Sequence, residues 1–330
     1  MKRNVIIVGI LCLIIVISPL LTGPVRKENL DVWDKRVTFV SPFSDNRYWE
    51  KICIGAMEEG KQHGIDVKCI SSADNDEKKV STNFESAVYS DVDGIVAYGV
   101  DDSQVFLEVL EKAWNQNVPV VLVDSNVHTD KKLCYVGTDN YQSGWNAGER
   151  MAEDCKEQGN ILIMVSSMET DNQQERVAGF MDALEEYPKI KIIGILEGSS
   201  NMMQGQKLLT EALEKYDDID GIFCAEGITS YAALYVMKGL AFHKKPIPVI
   251  VYEYSGMIKK GLEEGYVSTA IVQNPEQMGQ LAIRAMAAYL EDGTLPEENV
   301  FTETKQIRRN NLQEGEPVLD WSGQVEWHYY

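Results

Sequence analysis

Several side chains suited to recognising a polar ligand stand directly after apolar runs in this sequence. Asp124, Glu226, Glu253 and Gln273 each follow at least three apolar residues, and Ser125 comes next to Asp124. An ionised carboxylate offers only hydrogen-bond acceptors, which suit the hydroxyl groups of a small solute. The carboxylate of Asp124 could instead cap the next turn, so a purely local role is the alternative for this residue. Each position alone would be unremarkable, and we favour ligand binding for the set.

Two further segments place recognition groups at the start of predicted helices. Arg176 lies one turn inside a predicted helix, and its planar guanidinium suits bidentate polar recognition, although most helix arginines face solvent or form ion pairs. Asn46, Tyr48 and Trp49 end a polar loop ahead of another helix. A loop-borne aromatic pair offers a platform for the apolar face of a sugar ring, with burial in the core as the alternative. We predict that at least one of the two rings contacts the ligand.

No catalytic or metal-binding motif in the sequence competes with this interpretation. The six cysteines are scattered singly, without a C-x-x-C pair and without histidines at ligand spacing. The four histidines stand in no recognisable catalytic motif, and the sequence carries no phosphate-binding loop. We therefore predict no enzyme activity, no cofactor and no metal. One cysteine pair could oxidise, and Cys53 with Cys69 is the candidate.

The pattern of apolar residues indicates which elements position these side chains. From Arg36 onward, short β-branched runs alternate with segments of helical period, which is typical of parallel sheets covered by helices. Strands are predicted at 37–41, 66–70, 94–98, 120–124, 134–136, 160–165, 190–197, 221–225, 248–252 and 269–272. Helices are predicted at 46–63, 77–90, 103–117, 141–157, 171–187, 202–216, 229–240, 255–264 and 275–291. So many strands exceed what one such sheet usually carries, and the sequence therefore predicts two sheets.

A repeated motif supports this division into two units. Residues 90–97 (SDVDGIVA) resemble residues 217–224 (DDIDGIFC), and each copy follows a predicted helix. Turn chemistry alone explains one copy, whereas two copies in register indicate two lobes of like construction. Ligands of open parallel sheets lie beyond the carboxyl ends of the strands. Two facing sheets would therefore share one cleft, lined by the residues named above.

Net charge and the first segment bear on partners and location. The 330-residue chain has a formal net charge of −20, which repels nucleic acid. Basic Lys2 and Arg3 precede an uncharged apolar run at 5–21, an order that places the following chain outside the cytoplasm. We favour an uncleaved N-terminal membrane anchor because no clear small-residue cleavage pattern follows. The alternative is a cleaved signal, which would leave a secreted or periplasmic protein.

These features together resemble the ribose and galactose type of periplasmic binding protein, the type I substrate-binding components of sugar ABC transporters. The resemblance covers about residues 36–304, and its most specific motif surrounds Gln273 at 272–279 (VQNPEQMG). It implies an α/β fold of two Rossmann-like lobes with parallel sheets, joined by a three-crossing hinge near Thr138, Gln273 and Lys305. The ligand-binding residues that it implies are Asn46, Tyr48, Trp49, Asp124, Ser125, Arg176, Glu226, Glu253 and Gln273.

The departures from the family pattern concern charge. The family has arginine at the position of Ser125, and it has asparagine and aspartate at the positions of Glu226 and Glu253. The resemblance therefore implies a pocket in which these two glutamates and Asp124 face Arg176. A neutral sugar is the first choice of ligand, and an amino-sugar or another cationic solute is the second, because a cation would relieve unpaired acids.

The resemblance also implies an organisation and a role. Residues 1–35 are assigned to an anchor or signal segment with a linker, 36–138 and 274–304 to lobe 1, 139–273 and 305–320 to lobe 2, and 321–330 to a C-terminal tail. The expected role is capture of a small polar solute by closure of the lobes, for uptake through an ABC transporter permease. The alternative is a membrane-anchored receptor for a sensor histidine kinase. A transcription factor of the same fold is disfavoured, since no basic helix-turn-helix precedes the lobes.

Overall fold

The computed structural model describes residues 33–312, apart from Phe43, Asp45, 73–76, 101–102 and 241–245. The predicted N-terminal anchor and the tail at 321–330 lie outside the described residues. Within the described part of the chain, none of the helices combines the length and the apolar character that a membrane span requires.

Strands and helices alternate along most of the described chain. The strands are β1 (Lys35–Ser41), β2 (Ile65–Ser71), β3 (Gly94–Tyr98), β4 (Val120–Val123), β5 (Cys134–Thr138), β6 (Gly159–Val165), β7 (Ile190–Glu197), β8 (Ile219–Cys224), β9 (Val249–Tyr252), β10 (Thr269–Val272), β11 (Asn299–Thr302) and β12 (Lys305–Ile307). The helices are α1 (Arg47–Gln62), α2 (Glu77–Val88), α3 (Gln104–Asn115), α4 (Asn140–Asp154), α5 (Asp171–Leu184), α6 (Met202–Lys215), α7 (Gly227–Leu240), α8 (Gly256–Glu264) and α9 (Pro275–Asp292).

The strands form two six-stranded sheets with the same internal order. The first sheet has the order β11-β5-β4-β3-β1-β2, and the second has the order β12-β10-β9-β8-β6-β7. All pairs in the first sheet are parallel, whereas β12 pairs antiparallel with β10 at the edge of the second sheet. The prediction of two mostly parallel α/β lobes is confirmed. The chain passes between the two sheets after β5, after β10 and between β11 and β12.

Two edge strands were not predicted from the sequence. Strand β11 leaves most of its residues exposed or half exposed, and β12 is only three residues long. Neither contains the continuous apolar run by which a buried parallel strand is recognised. Their pairing is set by the neighbouring strands β5 and β10, which is tertiary information.

The repeated motif of the sequence has a structural role that is the same in both lobes. In the first lobe, Asp93 Oδ2 accepts a hydrogen bond from the backbone N–H of Arg36 at 2.8 Å. In the second lobe, Asp220 Oδ2 accepts one from the backbone N–H of Asn160 at 3.0 Å. Each aspartate therefore ties the beginning of its central strand, β3 or β8, to the first strand of the same lobe.

Apolar side chains pack on the faces of both sheets. In the first lobe, Phe84 and Phe106 pack with ring centroids 5.0 Å apart, and Phe39 is buried in a separate cluster. In the second lobe, Phe180 and Phe223 stack with centroids 4.2 Å apart. Each lobe thus has its own hydrophobic core, and the polar side chains at the strand ends lie outside these cores.

One pair of helices in each lobe crosses at glycine residues. A Cβ atom at Gly279 of α9 would overlap the backbone oxygen of Ile52 in α1, and one at Gly55 would overlap the backbone oxygen of Glu276. In the second lobe, a Cβ atom at Gly144 of α4 would overlap the backbone oxygen of Arg176 in α5. The absence of a side chain therefore lets the helices that precede or carry site residues approach backbone to backbone.

A disulfide joins Cys53 of α1 to Cys69 of β2, across 16 residues of sequence. It is the pair that the sequence offered as a candidate for oxidation. Cys134, Cys155 and Cys224 are free thiols.

Replacing Cys53 by serine is expected to lower the free energy of unfolding by about 3 kcal/mol, because a crosslink over a loop of this length restricts the unfolded chain. Urea unfolding followed by circular dichroism measures the loss. Cys155→Ser, at a free and half-exposed thiol, is the control and should change little. Equal unfolding midpoints of the wild-type protein with and without dithiothreitol would contradict this stabilising role.

Candidate functional site

Two acidic residues occupy equivalent positions in the two lobes. Asp124 directly follows β4 and Glu253 directly follows β9, the third strand in the order of each sheet. Both have left-handed backbone conformations, with φ of 68° and 69°. The backbone N–H of Asp124 donates to Val136 of β5 at 3.0 Å, and that of Glu253 donates to Ile271 of β10 at 2.9 Å. Asp124 and Glu253 therefore have the same local backbone structure at equivalent strand ends of the two lobes.

Tyr48 contacts Asp124 across the first lobe. The side chain of Asn46 caps α1 by accepting from the backbone N–H of Tyr48 at 2.9 Å. This cap fixes the first turn of the helix, and from there the Tyr48 hydroxyl donates to Asp124 Oδ1. Tyr135 also holds this loop, since its hydroxyl donates to the backbone oxygen of Asp124 at 2.9 Å.

The structure buries Trp49 and Ser125 in the first lobe. Trp49 is only 5% exposed and packs edge-on against Tyr98 at 5.3 Å, within the core of the first lobe. Neighbouring residues on a helix point in different directions, so Tyr48 faces Asp124 while Trp49 faces the core. Ser125 is buried, and its backbone oxygen accepts from Gly99 at 3.2 Å.

Arg176 lies at the centre of a buried hydrogen-bond network in the second lobe. The residue is only 3% exposed, and its guanidinium lies 4.1 Å from the ring centroid of Tyr252. Three nitrogens donate at 2.9 Å each: Nε to Asn140 Oδ1, Nη1 to the backbone oxygen of Ala225 and Nη2 to Gln273 Oε1. All three acceptors are neutral groups of the protein, so Arg176 holds the side chain of Asn140, the backbone at Ala225 and the side chain of Gln273 in place.

Gln273 connects the network to the hinge and to Glu253. Its Oε1 accepts from Thr138 Oγ1 at 2.8 Å as well as from Arg176, and its Nε2 donates to Glu253 Oε1 at 2.6 Å. Thr138 and Gln273 lie on two of the segments that pass between the sheets. A displacement of the Glu253 carboxylate is therefore coupled to the hinge through a single amide.

Glu226 acts on the backbone of its own lobe. Its two carboxylate oxygens accept from the backbone N–H groups of Ile228 and Thr229 at 2.6 Å each, at the start of α7. Glu226 thus has the capping role that the sequence raised as the alternative for Asp124. The negative charge of Glu226 still raises the pKa of Glu253.

Sequence reasoning did not identify Asn140 and Tyr252 as site residues. Asn140 is the first residue of α4 after the hinge at Thr138, and Tyr252 is the last residue of β9 before Glu253. The Tyr252 hydroxyl lies 2.6 Å from Ser143 Oγ, while its ring packs against Arg176. A polar residue just after a chain crossing was the available signal for Asn140, and the strand position of Tyr252 gave none.

Burial dominates the electrostatics of the site. It raises the pKa of Glu253 to about 7, against the opposing influence of Arg176 and Gln273, and the charges of Asp124 and Glu226 add to the rise. Burial also raises the pKa of Asp124, although the Tyr48 hydroxyl and Arg176 oppose the shift. The pKa of Tyr48 is raised well above its ordinary value by burial and then by Asp124 and Glu253. Arg176 supplies the positive charge that opposes these shifts at all three groups.

The chain is similar in sequence to binding proteins that are named for sugars. The D-apiose import binding protein of Actinobacillus succinogenes is 21% identical over 264 residues, which is 79% of this chain and 84% of the relative. The D-ribose/D-allose-binding protein of Pseudomonas aeruginosa is 25% identical over 241 residues, which is 70% of this chain and 75% of the relative.

A solved structure and a family model agree with this likeness. The structure of GanP, a glucose-galactose binding protein from Geobacillus stearothermophilus, superposes with a TM-score of 0.79 at 28% identity and covers 84% of this chain and 99% of GanP. The family model described as a periplasmic binding protein domain matches residues 37–294. These residues contain both sheets up to β10 and all the acids and amides of the cleft. The chain belongs to the periplasmic binding protein family.

Proposed function

We propose that this protein captures a sugar outside the cytoplasm, in the cleft between its two lobes, and presents it to an ABC-type importer. The observation that carries the proposal is the matched pair of carboxylates, Asp124 and Glu253, at equivalent strand ends of the two lobes. Each lobe thus offers hydrogen-bond acceptors to the same cleft. The relatives named for sugars support a sugar as the ligand.

Closure of the lobes would complete the site. Ligands of this fold class bind between rigid lobes that rotate about a few connecting residues. Here the hydrogen bonds of Gln273 to Thr138 and to Glu253 join two connecting segments to a cleft carboxylate. A ligand that contacts Glu253 would therefore favour one hinge geometry over the others.

The proposed role is binding without a chemical reaction. Tyr48 donates to Asp124 and the amide of Gln273 donates to Glu253, so the two carboxylates are arranged as acceptors. The pairing that activates a serine or cysteine nucleophile requires a base beside it, and the proposal assigns no residue to that role. Incubation of any bound sugar with the protein should return it unchanged.

An extracytoplasmic location with an N-terminal membrane anchor is part of the proposal. Basic Lys2 and Arg3 ahead of the apolar run at 5–21 support it. The disulfide between Cys53 and Cys69 independently supports the extracytoplasmic location, because structural disulfides persist mainly in oxidising compartments.

A matched pair of aspartate variants tests the site. Asp124→Asn is expected to weaken sugar binding at least tenfold, since losing one hydrogen-bond partner of a buried group costs about 1–3 kcal/mol. Asp91→Asn removes the same charge at a side chain that is 97% exposed, and it should bind as the wild type does. Affinities are measured by calorimetry with the sugar that most raises the melting temperature in a panel of pentoses and hexoses. Unchanged affinity of Asp124→Asn would contradict the assigned site.

The role in transport is tested separately from binding. Deleting the gene should abolish uptake of the bound sugar, labelled with ¹⁴C, while leaving the cell's transcriptional response to that sugar intact. Intact uptake together with a lost transcriptional response would instead support the receptor for a sensor kinase.

A further inference from the structure

We infer that the ligand carries a protonated amine next to its hydroxyl groups, so that an amino-sugar fits the cleft better than the neutral sugar of the same shape. The inference rests on the proposed function and specifies the substrate class of the same cleft. It follows from which hydrogen-bond valences and which charges the side chains leave for a ligand.

The donors of the cleft are largely engaged with the protein itself. Arg176 uses three of its five N–H groups on Asn140, Ala225 and Gln273, and the residue is only 3% exposed. Tyr48 has one hydroxyl proton, and it goes to Asp124. Gln273 donates to Glu253 and accepts twice through its oxygen. The groups that remain for a ligand are mainly carboxylate oxygens, which require donors from the ligand.

The charges of the cleft point in the same direction. Within the described part of the chain, neither Asp124 nor Glu253 has a cationic side chain within 4 Å. Glu226 adds a third carboxylate, whose charge is partly offset by the amino terminus of α7. The guanidinium of Arg176 carries positive charge near these acids, and it donates its hydrogen bonds to neutral acceptors.

An ammonium group answers both needs. It brings three N–H donors and one positive charge, so both partners of its hydrogen bonds to the carboxylates are charged, whereas a sugar hydroxyl contributes no charge. With a neutral sugar bound, Arg176 would be the positive charge that acts on Asp124 and Glu253 as closure removes water from the cleft, and excess buried charge is costly. The expected preference for the amine is at least tenfold in affinity.

The titration of Glu253 supports the inference. Burial raises the pKa of this carboxyl to about 7, so without ligand it is half protonated near neutral pH. The charged or titratable groups that act on it are Arg176 of α5, Asp124 after β4, Glu226 after β8, Tyr48 of α1, and Tyr231 of α7 together with Tyr252 of β9. A bound ammonium favours the ionised form, so binding releases a proton. The affinity for the amine should therefore fall as the pH is lowered from 7 to 5.5, by roughly tenfold.

The test compares matched sugars on the purified full-length protein. D-glucose, D-galactose and D-mannose are each compared with the corresponding 2-amino-2-deoxy sugar, by calorimetry at pH 7 and pH 5.5. The inference expects at least one amino-sugar to bind at least tenfold more tightly than its neutral partner at pH 7. It also expects this ratio to shrink at pH 5.5.

Two variants separate the amine contact from a general change in charge. Glu253→Gln removes one carboxylate with little change of shape, and the ratio of amine to neutral affinity should fall at least fivefold. Glu211→Gln makes the same charge change at an exposed position of α6 and should keep the wild-type ratio.

The outcomes distinguish the inference from the proposed function. Neutral sugars that bind as tightly as their amino partners, or a ratio unaffected by Glu253→Gln, overturn the inference and leave sugar binding standing. Absence of binding by every hexose, every amino-sugar and every pentose of the wider panel overturns both.

Discussion

Arg176→Ala is expected to abolish ligand binding and to lower the free energy of unfolding by about 3 kcal/mol or more. Removal of the guanidinium takes the donor from Asn140 Oδ1 and one of the two donors from Gln273 Oε1, which keeps its bond from Thr138. It also deprives the neighbouring carboxylates of a positive charge that lowers their pKa values. Losing one partner of a buried charged network typically costs about 3–5 kcal/mol. Urea unfolding gives the change in stability, and calorimetry gives the affinity.

Arg176 is expected to affect both stability and binding, unlike a residue that only contacts the ligand, so two control variants are needed. Arg176→Lys keeps the charge but lacks the fork that reaches three acceptors, so it should recover part of the stability and little of the binding. Arg36→Ala removes an exposed arginine paired with Asp91, and it should cost less than about 1 kcal/mol. A stable Arg176→Ala variant with wild-type affinity would refute the organising role of this side chain.

Gly279→Val is expected to destabilise the first lobe by about 3 kcal/mol or more. The added side chain would overlap the backbone oxygen of Ile52 in the facing helix α1. Backbone atoms cannot yield as a flexible side chain does, so the two helices must separate and their buried contacts with the sheet are lost in part. Because α1 also carries Tyr48, ligand binding should weaken in the fraction that still folds.

A second glycine provides the matched control for this helix crossing. A Cβ atom at Gly239 of α7 would meet no atom within 4 Å. Gly239→Ala should therefore leave stability unchanged or raise it by up to about 1 kcal/mol, as alanine favours the helix. Thermal unfolding of the two variants measures the difference. Equal melting temperatures for Gly279→Val and the wild type would contradict the close crossing of α1 and α9.

The sequence carries most of the information on the fold and on where polar groups follow strands. Buried parallel strands appear as short β-branched runs, so the ends of β4, β9 and β10 are visible in the sequence, and with them Asp124, Glu253 and Gln273. The repeat at 90–97 and 217–224 is visible for a similar reason, since its aspartates perform the same backbone tie in both lobes.

The direction and the partners of side chains are not visible in the same way. Tyr48 reaches Asp124 and Trp49 packs in the core, yet the sequence shows two adjacent aromatic residues, each with one polar group, without the partner that either one meets. Glu226 and Glu253 both follow buried strands, yet one caps a helix and the other bonds to Gln273. Tyr48 and Asp124 are 76 residues apart in the chain, and Glu253 and Gln273 are 20 apart, so these two pairings are set by the tertiary structure.

The left-handed backbone at Asp124 and Glu253 lowers the stability of the fold at the two positions whose carboxylates are proposed to bind the ligand. Residues with a side chain adopt this conformation at a cost of order 1–3 kcal/mol, which glycine avoids. Laboratory evolution for thermostability alone would therefore favour glycine at both positions, and every such gain would remove a carboxylate from the cleft. Stabilising substitutions are therefore best introduced at other positions, with Asp124 and Glu253 kept unchanged.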